Sequence, residues 1–282
     1  MKSFRICMQN IRKWGSNSRI KMCFVMSALF VYVYTEGLGT LGSYIDTKVN
    51  PWIFPFLFTF RYMKILYMIL LISIFCDAPF VDKNQVYVML RTKRTTWCIG
   101  QIMYIAAVSF VYSVWLLIAS VIINIGHMQW GSGWGKVLGA AGTTNIMSLL
   151  GIKNSTVSVS SIVIRYYKPY QAMFFAFLLM WLSFIVVGLL VYVFNVLTKT
   201  KIAGVLIAGF LVMLTAVVDY SPKLTWFSPM SWNSLDKIDV AGTTMYPTIG
   251  YVLAMYIGMI IVLSVSALLL CRRQEIIAEE EK

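Results

Sequence analysis

The chain is predicted to be an all-α, polytopic membrane protein, and three observations carry that reading. First, 59% of its 282 residues are apolar and only 12% are charged, with a mean hydropathy of +0.76. A water-soluble domain of this size cannot hide so much apolar surface. Second, the apolar residues fall in six blocks of about 20, the number a helix rising 1.5 Å per residue needs to cross ~30 Å of hydrocarbon. Third, Lys and Arg alternate in density between the connections, as positively charged loops resist translocation.

The six blocks run approximately Met22 to Leu41, Ile53 to Cys76, Ile99 to Ile123, Tyr170 to Leu197, Ile202 to Val218 and Ile249 to Cys271. The first is expected to stay in the mature protein. About 20 polar and basic residues precede it, and no small-residue cleavage site follows. With both termini in the cytoplasm, fifteen Lys and Arg collect on the inner side and seven on the outer, while Arg61 and Lys64 lie within the second block. Cys7, Cys23, Cys76, Cys98 and Cys271 all fall on or near the inner face. An odd set of thiols on a reducing side argues against structural disulfides. The whole chain, 1–282, therefore reads as one membrane domain: an amphipathic segment 1–20, a six-helix region 21–271 and a cytoplasmic tail 272–282.

Each connection adds detail. Phe4, Cys7, Met8, Ile11 and Trp14 recur at spacings of three and four among basic residues, which predicts an amphipathic helix lying in the inner headgroup layer. Gly15, Ser16, Asn17 and Ser18 then turn the chain into the first span. Pro51, Pro55, Arg61 and Lys64 interrupt the outer end of the second span, where a short interfacial helix is expected and the two cations snorkel outward or face a polar cavity.

The loop from Asp77 through Phe80 to Trp97 is the most informative connection. Asp82 and Gln85 have the spacing of a capping pair, and Val86, Met89 and Leu90 follow as an apolar stripe. A short cytoplasmic helix is expected, basic outside and free to dock on its apolar side. Thr95 or Thr96 is expected to cap the third span.

Residues 124–169 form a long outer segment too apolar for a free linker, with Trp130 and Trp134 in the interfacial belt. Val157, Val159, Ile162, Ile164 and Tyr166 predict extended structure there. The turn from Thr198 to Lys201 makes the fourth and fifth spans antiparallel neighbours. The outer loop carrying Pro222, Trp226, Pro229 and Trp232 predicts broken helices half sunk in the outer leaflet and packed on protein.

Chemistry is hard to place. The run from Gly131 to Val137 falls short of a phosphate-binding loop, because Trp130 replaces the first glycine and Val137 the required hydroxyl. His127 is the only histidine, no acid–base pair or metal-ligand spacing exists, and no enzymatic role is expected. The net charge of +13 follows from the topology and contact with anionic lipid, so no nucleic-acid partner is expected. Glu36 is the one acid well inside an apolar block. It is expected at the outer interface, or in an outer cavity paired with a cation such as Lys64. Gly37, Gly39 and Gly42 follow it and permit a close helix approach or a loop kink.

The order of these parts resembles the permease subunits of type-2 ABC exporters: elbow helix, two spans, basic inner helix, two spans, tight inner turn, a span, a Pro/Trp-bearing outer segment and a last span. The stretches Asp77-Ala78-Pro79-Phe80, Arg91-Thr92-Lys93-Arg94, Trp97-Cys98-Ile99-Gly100-Gln101 and Ser228-Pro229-Met230-Ser231-Trp232 carry the likeness best. The long outer segment 124–169 departs from it. The resemblance implies export of a peptide, antibiotic or lipid-like substrate across a bacterial cytoplasmic membrane. It implies a separate cytoplasmic ATPase subunit holding ATP and Mg, with no cofactor in this chain, and a second permease chain, identical or different. It assigns ATPase coupling to Asp77, Phe80, Asp82, Val86, Met89, Leu90, Arg91, Arg94 and Trp97. The elbow falls to Phe4, Met8, Ile11 and Trp14, and an outer gate or cavity to Glu36, Pro229 and Trp232. The alternative is a non-transporting immunity or scaffold protein that binds a peptide or lipid.

Overall fold

The computed structural model describes residues 2–80, 92–143, 157–240, 242 and 244–273. These residues are helical, with no strand among them and two isolated bridges, Val49–Met128 and Asp239–Thr248. The helices are α1 (Lys2–Arg12), α2 (Ser18–Ile45), α3 (Arg61–Phe75), α4 (Arg94–Ile122), α5 (Gly135–Thr143), α6 (Ser161–Tyr166), α7 (Pro169–Thr198), α8 (Ala203–Val218) and α9 (Ile249–Arg273).

Four of these, α2, α4, α7 and α9, are long and apolar enough to cross a membrane. α3 and α8 have 15 and 16 residues, or about 22 and 24 Å of rise, less than ~30 Å of hydrocarbon. Each of the six sequence blocks thus contains a helix, and two of the helices are short. Both short helices have broken, buried chain beside them. Ile53, Phe54, Phe56, Leu57 and Phe58 are fully buried ahead of α3, and Met230, Trp232 and Leu235 are equally buried in the segment after α8.

α7 lies at the centre. Burial covers 67% of its apolar window, against 17% for α9, and α7 packs on α3, α4, α8 and α9. Small residues set how closely these neighbours approach. A Cβ on Gly204 of α8 would lie 2.3 Å from the Val191 carbonyl oxygen of α7, so only glycine fits that crossing. Lys199, with a left-handed φ of 55°, ends α7, and the chain reverses within four residues into α8.

Local signals explain the ends of the helices. The Asn17 side chain accepts from the Arg19 amide at 3.1 Å and caps α2. Pro169 occupies the first turn of α7, while Gln171 Oε1 accepts from the Lys168 amide. α4 begins at Arg94 without a side-chain cap. The expected threonine caps lie inside the helix, because Trp97 and Cys98 of that first turn are pulled into the core. The extended structure expected near residues 157–166 is replaced from Ser161 by a turn of helix, α6, whose Val163 is fully buried. Helical rotation brings Val163 and Ile164 to the protein side together, which alternation would not.

The α7–α8 contact can be tested by substitution. Gly204→Ala is expected to lower thermal stability in detergent by about 1–3 kcal/mol, the cost of overpacking. Gly209→Ala, on the same helix with open space around it, is expected to leave the unfolding temperature unchanged or raise it.

Candidate functional site

At the end of the bundle that carries α1, four elements converge: α1, the start of α2, residues 76–80 and the start of α4. α1 lies against α4 through Ile6, Cys7 and Asn10, all buried. Gly100 makes this possible, as a Cβ there would meet Ile6 at 2.9 Å. The seam carries polar ties as well as apolar packing. Asn10 Nδ2 donates to Gln101 Oε1 at 2.9 Å in a buried pair, and Trp14 Nε1 donates to Tyr104 Oη at 2.9 Å. An apolar seam alone could slide; two directed hydrogen bonds fix its register.

The segment after α3 is held from two sides. Both Nη atoms of Arg19 donate to the Asp77 carboxylate, Nη1 to Oδ1 at 3.1 Å. The Arg19 guanidinium holds the Asp77 carboxyl below the usual carboxylate range, against the opposing effect of partial burial. On the other side, Asn195 near the end of α7 donates from Nδ2 to the Ala78 carbonyl at 2.9 Å. Its Oδ1 accepts from the Gly204 amide at 2.8 Å. That amide is among the first in α8 and has no partner within its own helix, so Asn195 caps α8 from the preceding helix. Beyond it, the Phe80 ring packs edge-on against Tyr104 at 4.9 Å. α9 joins the same end through Cys271, whose Sγ lies 3.6 Å from the Arg94 carbonyl oxygen.

The opposite end is built differently. Two broken segments, each with short turns of 3₁₀ helix, enter the bundle and press on α7: Phe54 packs near Phe177 at 6.4 Å and Phe58 near Phe184 at 5.9 Å. Met230 receives the Ser183 hydroxyl at 3.8 Å. Tyr256 of α9 donates to the Pro229 carbonyl at 2.7 Å, and Trp232 Nε1 donates to the Thr225 carbonyl. Asp219 gathers cations here, with Lys237 at 3.0 Å and Arg61 at 3.7 Å. Burial alone would lower Lys237, but Asp236 and Asp219 outweigh it and hold its pKa above the ordinary lysine value. Lys64 is buried beside this cluster at 5% exposure, so of the two placements its position allowed it takes the one inside the protein and does not snorkel.

A lid of residues 128–135 closes over Asn50 at this end. Asn50 Nδ2 donates to the Gly133 carbonyl at 2.6 Å and Trp52 Nε1 to the Gly131 carbonyl at 2.9 Å, with Gly135 at φ +75°. The glycine-rich run that falls short of a phosphate loop thus wraps a carboxamide of its own chain.

The sequence-predicted residues separate into groups. Asp77, Phe80 and Trp97 come together at the α1 end, with Arg94 exposed at the head of α4. Asp82, Val86, Met89, Leu90 and Arg91 lie outside the described residues. Of the elbow residues, Ile11 and Trp14 pack on the core, while Phe4 and Met8 are exposed. Pro229 and Trp232 are buried in the segment that presses on α7 and α9. Glu36 is exposed on α2 and forms no ion pair with Lys64. Sequence reasoning missed Ile6, Asn10, Arg19 and Asn195; a buried Asn near a helix end was the only available signal for the last. Among the described residues, no group of three His, Cys, Asp or Glu could hold a metal. Comparison with protein-family models, characterised proteins and solved structures gives no match for the chain. The geometry of the chain itself must therefore carry any functional reading.

Two outcomes follow from this geometry. Asn195→Leu is expected to cost about 1–3 kcal/mol for each of the two backbone groups it strands, measured by thermal unfolding in detergent. The half-exposed Arg19–Asp77 pair contributes under about 1 kcal/mol. Because the folded Asp77 pKa is depressed, that contribution is present above the ordinary carboxylate pKa near 4 and is lost as pH falls through the lower folded value. Wild type and Asp77→Asn should therefore differ by a constant amount from about pH 5 to 8 and converge in acid.

Proposed function

We propose that the chain is the membrane-embedded permease subunit of an ATP-driven exporter. In this reading it crosses the bilayer six times with both termini in the cytoplasm, works with a second permease chain, and takes its energy from a separate ATPase subunit that binds ATP and Mg. The observation that carries the reading is the clamp at the α1 end. An amphipathic helix and the segment after α3 are each tied to the ends of the long helices, the first to α4 and the second to α2, α4 and α7. A helix that merely anchored the chain to the headgroup layer would not need buried polar ties to α4.

The six-crossing topology is supported by the alternation of Lys and Arg, and by the buried chain that extends α3 and α8 at their far ends. Backbone at membrane depth that is not in a continuous helix is tolerated only where protein buries it. The segments at residues 53–58 and 229–235 meet that condition.

The mechanism is transmission of a push. Closure of the ATPase displaces the segment between Asp77 and Arg94. Arg19 passes the displacement to α2, Asn195 passes it to α7 and α8, and Phe80 passes it to α4 through Tyr104. α7 runs from this clamp to the two buried segments at the opposite end, so a shift at one end repacks the other. Phe58, Met230 and Trp232 then form the outer gate. Glu36, exposed on α2, faces whatever lies outside this chain, a role for which a second permease chain is the natural candidate.

Purification of the chain with the ATPase encoded beside it tests the reading. Charge reversal at Arg91 and Arg94 is expected to abolish both ATPase association and its stimulation, with the melting temperature of the permease unchanged. Intact association and stimulation in that variant would sink the proposal.

A further inference from the structure

All five cysteines are free thiols, and two of them touch. Cys98 lies in the first turns of α4 and Cys271 in the last turn of α9. Their thiols are hydrogen-bonded to each other, and each sulfur has a second partner. Tyr192 of α7 donates from Oη to Cys98 Sγ at 3.6 Å, and Cys271 Sγ donates to the Arg94 carbonyl at 3.6 Å. Arg94 stands one helical turn before Cys98, so this last contact by itself sets Cys271 against the same stretch of α4. A chain of hydrogen bonds thus runs from α7 through both sulfurs to the backbone of α4. The pair is enclosed, with Cys98 at 0% exposure and Cys271 at 7%.

A buried cysteine alone packs as a small hydrophobe. Two with their sulfurs in contact can also react with each other, since a disulfide needs only that the sulfurs close to about 2 Å. Oxidation at this place strands no buried group. The Arg94 carbonyl keeps the Cys98 amide as its partner within α4, and Tyr192 Oη still has a sulfur to donate to. The remaining thiols are arranged differently. Cys76 gives its thiol to Asp77 at 3.8 Å, and it meets Cys23 only at electrostatic range.

We propose that Cys98 and Cys271 form a reversible oxidation site, a dithiol that hydrogen peroxide converts to a disulfide joining the start of α4 to the end of α9. Cys271, at a helix end and the less enclosed of the two, attacks the peroxide O–O bond and becomes a sulfenic acid, with release of one water. The Cys98 sulfur then displaces the hydroxyl from Cys271, and that hydroxyl leaves with the Cys98 proton as a second water. Two thiols so give two electrons to one peroxide. A small oxidant suits an enclosed pair, and a thiol reductant reverses the product, as for the transient disulfides of reducing compartments. The inference rests on the contact of α4 with α9 and not on the exporter reading. Its consequence is mechanical: helices that now meet through packing and hydrogen bonds could no longer slide at this end.

The test is to treat the reduced full chain in detergent with stoichiometric hydrogen peroxide, unfold it in the presence of N-ethylmaleimide and weigh the intact protein. Wild type is expected to fall by two labels from its five thiols, to recover both when dithiothreitol precedes labelling, and to yield a peptide pair joined through Cys98 and Cys271. Cys98→Ser and Cys271→Ser are each expected to keep every remaining thiol, whereas Cys23→Ser still loses two. Five labels on oxidised wild type, a loss that dithiothreitol does not restore, or a bridge mapped to another pair would overturn the proposal. The wild-type peptide map decides the matter even if a serine variant fails to fold.

Discussion

A peptide group that leaves water for hydrocarbon must bring its hydrogen-bond partner with it, and the rest of this structure follows from that demand. Helices meet it within themselves, which is why the long apolar blocks are helical. The difficulty lies where helices stop. At the α1 end, the Ala78 carbonyl and the Gly204 amide are both buried and both without a helical partner. One side chain, Asn195, satisfies the two together. At the other end, the Phe56 and Pro229 carbonyls are served by Tyr34 and Tyr256. The tyrosines do this from helices on either side of the buried segments. Short helices are therefore tolerated here because side chains of neighbouring helices complete them.

The same demand explains why α7 is central. A helix that must receive broken chain at one end and cap a neighbour at the other has little surface left for lipid. The peripheral helix α9 keeps Ile257, Ile261, Val262 and Val265 exposed, as a lipid-facing helix should. Two kinds of contact thus divide the work. Shape decides where helices lie, through positions such as Gly100 and Gly204 where any side chain would collide. Hydrogen bonds decide register, through Asn10, Trp14 and Asn195. A bundle packed by shape alone can slide along its seams at small cost. One locked at both ends transmits displacement instead of absorbing it.

This division also accounts for what the sequence revealed. The position of every long helix was legible, because hydropathy integrates over about 20 residues and tolerates local exceptions. The tight turn after Thr198 was legible for the same reason, lying between two unmistakable blocks. The face of α1 was legible in part. Of the stripe Phe4, Cys7, Met8, Ile11 and Trp14, Cys7 is buried and Ile11 and Trp14 pack on the core, while Phe4 and Met8 are exposed. Ile6 and Asn10 are buried as well, because Gly100 opens a slot there and Gln101 supplies a partner for an asparagine. Neither fact is visible from α1 alone. Lys64 misled in the opposite direction: a cation three residues into an apolar helix normally reaches for water, but here Asp219 and Asp236 arrive from a segment more than 150 residues away. Pairings of that separation carry no local signature.

Arg19 shows how these levels combine. It begins as one orientation charge among many near the start of the first span, and composition gives no reason to single it out. Folding places it beside Asp77, where both Nη atoms meet the carboxylate. An ion pair that water can reach is worth little in stability, because water competes for both partners. What the pair supplies is position: it ties the segment after α3 to the start of α2, while Asn195 ties the same segment to α7. Removing the Arg19 tie would free the segment on one side and leave the helices in place, so the coupling of that segment to α2 depends on a contact that adds little to the stability of the fold.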